Sequence, residues 1–174
     1  CQGDATIRGF DAATSTLSIT GAGAQAIDLA GLSLHAIAVA GPADVAFTGS
    51  FSCYRFACGN GTAPQAITFA AGSTLSATRF TADGDDVSAN LVLKSSASGS
   101  AWSLACSAFD VSGATVSDCD ASGGVKIYPV ASVDGGGNVN WAFTDGRIRW
   151  AGSADADFAN PANWVGGVVP GGSD

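Results

Sequence analysis

Apolar and polar residues alternate along most of the chain, in short runs that end at Gly, Pro, Asn or Asp. A period of two is the pattern of a half-buried β-strand, and frequent turn residues between the runs are typical of an all-β fold. The runs that predict strands span residues 15–20, 24–29, 32–40, 44–49, 65–70, 73–80, 89–96, 101–106, 109–119, 125–130 and 139–143. A sandwich or a barrel would give a similar number of strands.

Two features favour a parallel β-solenoid over a sandwich. Many interruptions hold only one or two small residues, as in LAGLSLHAIAVAGPADVAF at 29–47. Such breaks are too short for a hairpin at each one, but they suffice to bend the chain around a corner. Inward-facing Leu, Ile, Val and Phe also recur after roughly 20 residues, so that similar side chains would stack along the axis.

The composition fits a narrow interior and excludes some classes of function. Hydrophobic residues make up 47% of the 174 residues, but Gly contributes 24 and Met none, so the side chains are small. No run approaches the roughly 20 apolar residues of a spanning helix, which predicts a soluble chain without a membrane span. The net charge of -8 and seven scattered Lys and Arg residues argue against nucleic acid as a partner.

Five cysteines, an odd number, raise the question of pairing. In SFSCYRFACGNG at 50–61, Cys53 and Cys58 flank a predicted short loop and are predicted to form a local disulfide in an oxidising compartment. Cys106 and Cys119 end two candidate strands, WSLAC at 102–106 and ATVSDC at 114–119, which could be neighbours and so make them a second candidate pair. Cys1 is left over as a free thiol, a link to another chain, or a lipidated N-terminus. A zinc site is disfavoured because the chain has no CxxC motif and a single histidine.

The candidates for chemistry are few. His35 lies in an alternating strand, where a structural or surface role is expected, and one histidine supports no Ser-His-Asp arrangement. All acidic residues are Asp, which suits turns and strand ends. The cluster Asp83, Asp85 and Asp86 could bind calcium through carboxylate oxygens, although solvated turns explain it equally. Asp118 and Asp120 could form a carboxylate pair, but no enzymatic activity and no cofactor are expected.

One long segment is similar to a known class of proteins. LVLKSSASGSAWSLACSAFDVSGATVSDCDASGGVKIYPVASVDGGGNVNWAF at 91–143 resembles a recurrent segment of large bacterial secreted and cell-surface proteins. Upstream, GFDAATSTLSITGAGAQAI resembles an element that often precedes it. The resemblance covers most of residues 8–143 and implies a right-handed parallel β-helix of autotransporter-passenger, adhesin or filament type. Cys106, Cys119 and the stretch around Cys53 depart from the pattern.

The chain changes character after Phe143. RIRWAGSADADFANPANWVGGVVPGGSD at 147–174 resembles the opening of a further module in such surface proteins. We therefore expect a β-helix domain at 1–143 and a Trp- and Gly-rich extension, or the start of another module, at 144–174. The aromatic residues expected to cap the last turn or to contact a neighbour are Trp141, Phe143, Trp150 and Trp164.

The resemblance and the composition together lead to one expectation about function. The chain is predicted to be a non-enzymatic structural protein of the bacterial cell surface or extracellular space, forming a stiff rod that serves as a filament subunit or an adhesin stalk. Its expected partners are further copies joined end to end, neighbouring modules of a longer chain, or surface glycans. The alternative is a carbohydrate-binding or polysaccharide-degrading β-helix, which would show a groove lined with aromatic and acidic residues on one face.

Overall fold

Among the described residues, thirteen short strands form two parallel sheets, and the chain alternates between them. The computed structural model describes residues 5–6, 14–59, 63–85, 88–143, 152, 154–164 and 169. The strands are β1 (Ala5–Thr6), β2 (Thr16–Ile19), β3 (Gln25–Asp28), β4 (Ser33–Val39), β5 (Val45–Thr48), β6 (Phe51–Cys58), β7 (Gln65–Phe69), β8 (Thr74–Asp83), β9 (Leu91–Ser95), β10 (Trp102–Ser112), β11 (Ala114–Val116), β12 (Cys119–Asp120) and β13 (Val133–Asp134).

Each strand pairs with the strand two elements away, always in parallel. One sheet has seven strands in the order β1-β3-β5-β7-β9-β11-β13, and the other has six in the order β12-β10-β8-β6-β4-β2. The offset between paired residues varies from 17 for Trp102 and Cys119 to 29 for Thr74 and Ser103. This arrangement is a parallel β-solenoid and confirms the predicted fold class, whereas its handedness stays a prediction.

The interior is built from similar side chains stacked on successive turns. Phe56 and Phe80 pair in register, and their rings stack with centroids 5.6 Å apart and an interplanar angle of 6°. Phe47 stacks on Phe69 in the same way at 5.7 Å, and Trp102 covers Phe69 at 4.0 Å. All five rings are at most 1% exposed. Apolar burial of this kind contributes about 25 cal/mol per Å² removed from water.

The corners of the coil depend on close backbone approach. Gly113 lies between β10 and β11 and has φ of 56°. A Cβ atom at this position would lie 2.5 Å from the carbonyl carbon of Gly84, which occupies the corresponding corner between β8 and β9. Glycine therefore supplies both the left-handed backbone and the space that lets successive corners stack.

The structure differs from the predicted strands at four places. Residues 54–57, predicted as a loop between Cys53 and Cys58, lie inside the eight-residue strand β6. Strand β10 runs through the predicted break between 101–106 and 109–119 and ends at Ser112, inside the second predicted strand. Residues 125–130 and 139–143 were predicted as strands but contain only isolated bridges, such as Ile127 with Trp141. Non-glycine residues with positive φ, among them Ala131 and Asn140, interrupt the extended backbone there.

The described part of the C-terminal segment has its own local order. A 3₁₀ turn at Pro161–Asn163 is capped by the side chain of Asn160. The buried amide of Asn163 accepts from the N–H groups of Ala154 and Asp155 and donates to the carbonyl oxygen of Asp157. Among the described residues no helix is both long and apolar enough to cross a membrane.

The stacked interior leads to a stability prediction. Phe80→Ala removes a fully buried ring that stacks on Phe56, and we expect a loss of about 3–5 kcal/mol in the free energy of unfolding. Val133→Ala, at a position 51% exposed, is the control and should change it by less than about 0.5 kcal/mol. Urea denaturation followed by circular dichroism measures both, and equal losses would contradict the stacked core.

Candidate functional site

The four described cysteines are free thiols, which overturns the predicted disulfides. Cys53 and Cys58 lie five residues apart on the same strand, and both side chains are buried. An extended strand rises about 3.3 Å per residue, so even a bent one does not bring such residues within the roughly 4.4–6.8 Å between Cα atoms that a disulfide requires. The prediction of a Cys53–Cys58 bond is therefore wrong.

The second predicted pair fails because of register. Of the second candidate strand, residues 114–116 lie in the other sheet as β11, and only Cys119 pairs with β10, opposite Trp102 and four residues before Cys106. Both thiols are free and buried. Burial raises the pKa of the Cys53 thiol to about 12 and raises the pKa of the Cys106 and Cys119 thiols above the ordinary value. These cysteines act as small apolar core residues, and Cys1 lies outside the described residues.

The predicted carboxylate candidates do not form a common site. Asp83 is exposed at the end of β8 and accepts a hydrogen bond from Ser112, while Asp86 lies outside the described residues. Asp118 has a φ of 52°, so the chain turns there and β12 begins only at Cys119. Hydrogen bonds from the hydroxyl and then from the backbone N–H of Ser122 lower the pKa of Asp120. Within the described part of the chain no three His, Cys or acidic residues form a group that could hold a metal ion.

The predicted capping aromatics lie in different surroundings. Trp141 and Phe143 stack with centroids 5.7 Å apart and pack against the core on the last described turn of the solenoid. Trp164 instead meets Phe158 edge-on at 4.6 Å and donates its indole N–H to the carbonyl oxygen of that residue. Trp150 lies outside the described residues. A capping or assembly role for these residues stays a prediction.

A group of cationic and aromatic side chains forms the most distinctive surface of the solenoid. Strands β4, β6, β8 and β10 each bend around one corner, where two consecutive residues face outward, as Tyr54 and Arg55 do in β6. His35 on the preceding turn stacks on Tyr54, with ring centroids 5.3 Å apart and an interplanar angle of 13°. Tyr54 is 58% exposed, so this pair of rings presents a flat apolar surface to solvent.

The next outward column carries positive charge. Arg55 and Arg79 are partners in the register of β6 and β8, so they occupy the same position on successive turns. Like charges directly opposite each other on neighbouring strands repel. Arg79 forms an ion pair with Asp110 at 3.8 Å, but both side chains are more than half exposed, so the pair contributes little to stability.

Beyond β10, Lys126 continues the column of Arg55 and Arg79, and Tyr128 lies two residues further along the same turn. The N–H of Val125 donates to the carbonyl oxygen of Cys106, and Val130 bridges Ser112, so the offset between the two turns is 18 residues. This offset places Lys126 level with Ala108, the register partner of Arg79, and Tyr128 level with Asp110. The ammonium of Lys126 lies 5.9 Å from the centroid of the Tyr128 ring, a cation–π distance.

We call this surface the basic-aromatic face. It comprises the side chains of His35, Tyr54, Arg55, Arg79, Asp110, Lys126 and Tyr128. A depression of about 500 Å³ lies at one end, lined by Thr16, His35, Tyr54, Arg55 and small residues of β4 and β6. Of the four cations among the described residues, only Lys94, on the other sheet in β9, lies outside it.

Of the residues of this face, the sequence pattern pointed to His35 and to none of the others. Arg55 and Arg79 are 24 residues apart, and Lys126 lies a further 47 along the chain, so they look scattered. Only the register makes them neighbours. The available signal was the recurrence of an aromatic or hydroxyl residue followed by Arg and Phe, in YRF at 54–56 and TRF at 78–80.

Comparisons with known proteins identify no relative of this chain. No protein-family model matches the chain, no curated protein matches it significantly, and no solved structure matches it significantly.

The state of the cysteines gives a direct prediction. In the native, unreduced protein we expect Cys53, Cys58, Cys106 and Cys119 to resist a maleimide at mildly alkaline pH, because they are buried and their pKa values are raised. All four should react once the chain is unfolded without reductant. Peptide mass mapping identifies each site and separates it from Cys1. A described cysteine that labels only after reduction would mean that it is disulfide-bonded.

Proposed function

We propose that this chain is a non-enzymatic structural protein of the bacterial cell surface or extracellular space, a β-solenoid rod that acts as a filament subunit or an adhesin stalk. The parallel ladders support the mechanical part of the proposal, since hydrogen bonds between turns run along the whole axis. Seven strands at about 4.8 Å give roughly 29 Å between the edge strands of one sheet. The cell-surface location rests on the resemblance of residues 8–143, because the disulfide argument for an oxidising compartment no longer applies.

One observation supports assembly more than any other. Four valines, Val125, Val130, Val133 and Val139, are 42–51% exposed, and they lie on the last two described turns. Val125, Val130 and Val133 belong to one turn, in which β13 is an edge strand among the described residues. Val139 belongs to the next turn, because it bridges Asp120 of β12 as Trp141 bridges Ile127. This valine belt surrounds the described C-terminal end of the solenoid, where another polypeptide could pair with the exposed strands and cover apolar surface.

We propose a second copy of the chain as the occupant of this end. Parallel edge strands accept further strands in the same register, and the first turn of another solenoid supplies strands of matching geometry. Trp141 and Phe143, stacked on the same turn, would add apolar surface to the joint. Cys1 stays a candidate for crosslinking successive copies. Neighbouring modules of a longer chain are the competing occupant, and they would cover the belt in a single molecule.

A carbohydrate-binding function is the second candidate, and the basic-aromatic face favours it. The stacked rings of His35 and Tyr54 offer a flat, exposed platform of the kind that packs against the apolar face of a sugar ring. Degradation of the polysaccharide has less support, because Asp118 and Asp120, the proposed carboxylate pair, are separated by a turn of the backbone. This second candidate is therefore carbohydrate binding without catalysis, and calcium binding stays a prediction.

End-to-end assembly is tested by charging the valine belt. The variant carrying Val133→Lys and Val139→Lys should stay monomeric at concentrations where the parent chain forms fibres, because lysines at the joint repel and remain hydrated. The control carries Ser76→Lys and Ser98→Lys, which add the same charge at exposed positions, in the central strand β8 and in the loop between β9 and β10, away from the edge strands. Sedimentation velocity and electron microscopy provide the readout. Monomers of the parent at every concentration, or fibres that tolerate the belt lysines, would contradict the proposal.

A further inference from the structure

The basic-aromatic face stands out against the charge of the whole chain. The net charge is -8, yet three of the four described cations, Arg55, Arg79 and Lys126, share one outward column. The acidic residue among them, Asp110, pairs with Arg79 only. Within the described residues Arg55 has no ion-pair partner, and it lies directly opposite Arg79 on the neighbouring strand.

A like-charge pair in this position is destabilising, and a bound anion would offset the repulsion between the two charges. Two guanidinium groups on adjacent parallel strands, whose backbones are about 4.8 Å apart, repel each other. Guanidinium groups bind carboxylate and sulfate oxygens through two parallel hydrogen bonds. One anionic group placed between Arg55 and Arg79 would therefore satisfy both.

The arrangement also selects the shape of the ligand. The positions of Arg55, Arg79 and Lys126 follow the axis of the solenoid, with Ala108 occupying the turn between the last two. The rings of His35 and Tyr54 lie at one end of this row and Tyr128 at the other. Such a row matches a linear polymer that carries an anionic group at regular intervals and flat apolar ring faces between them.

We propose that the basic-aromatic face binds an acidic polysaccharide, a chain of sugar rings that carries carboxylate or sulfate groups. Arg55 and Arg79 hold one anionic group, Lys126 holds another further along the chain, and the His35–Tyr54 platform packs against a sugar ring. Asp110 weakens the site because it competes for Arg79. This inference rests on the carbohydrate-binding function above and adds the charge of the ligand; it is independent of end-to-end assembly.

The experiment measures binding of the full chain to three immobilised probes by biolayer interferometry. Polygalacturonate carries carboxylates, dextran sulfate carries sulfates, and dextran is neutral. We expect binding to one or both acidic polymers, and the preferred one identifies the anion. Arg55→Ala and Arg79→Ala should each weaken this binding about threefold to tenfold. Tyr54→Ala should weaken it as well, and Asp110→Asn should strengthen it, which separates a lost contact from a misfolded variant.

Lys94→Ala is the matched control, because it makes the same charge change on the other sheet and should leave the affinity within about twofold. Equal losses for Arg55→Ala and Lys94→Ala would overturn the proposal, since they would reflect net charge alone. Binding to neutral dextran that needs Tyr54 but not Arg55 would overturn the acidic ligand and leave carbohydrate binding intact. Absence of binding to all three polymers would overturn both. Equal affinity for single-stranded poly(dT), an aromatic polyanion, would overturn the proposal, because it would indicate a nucleic-acid ligand and not an acidic polysaccharide.

Discussion

The whole structure depends on the pairing of each turn's backbone with the equivalent backbone of the next turn. Parallel strands satisfy their N–H and C=O groups only when successive turns keep the same shape, so corners, strands and side-chain directions must recur. Successive turns contain different numbers of residues, and the loops between strands vary in length accordingly. The offset between paired strand residues ranges from 17 to 29 while the strands stay in register. Gly113, stacked over the corner at Gly84, shows how little space a corner leaves.

Register determines both the interior and the surface. Inside, it stacks Phe56 on Phe80, and the apolar contact between the buried rings stabilises the aligned turns. Outside, the same alignment places Arg55 over Arg79, where nothing in the pairing itself compensates for the repulsion. An aligned column is therefore favourable for apolar residues and unfavourable for charges. This contrast is why the outward arginines point to a ligand and the inward phenylalanines do not.

The alternation of apolar and polar residues was enough to predict an all-β chain, and the short breaks were enough to favour a solenoid. Neighbouring cysteines in sequence suggested a disulfide, but β6 is an extended strand, and it keeps Cys53 and Cys58 apart. The basic-aromatic face could not be predicted because loops of unequal length separate Arg55, Arg79 and Lys126. Periodicity reports which side of a strand a residue faces, whereas the column it joins depends on every loop before it.

The register of the outward columns is tested most directly by engineered crosslinking. Ala57 pairs with Thr81, and Thr81 pairs with Asp110, so these three positions form one outward column. The variant with Ala57→Cys and Thr81→Cys should form a disulfide under mild oxidation, because neighbouring parallel strands hold Cα atoms about 4.8 Å apart. The variant with Ala57→Cys and Asp110→Cys spans two strands and should not. Peptide mapping by mass spectrometry detects the bond; no crosslink in the first variant, or an equal yield in both, would contradict the solenoid register.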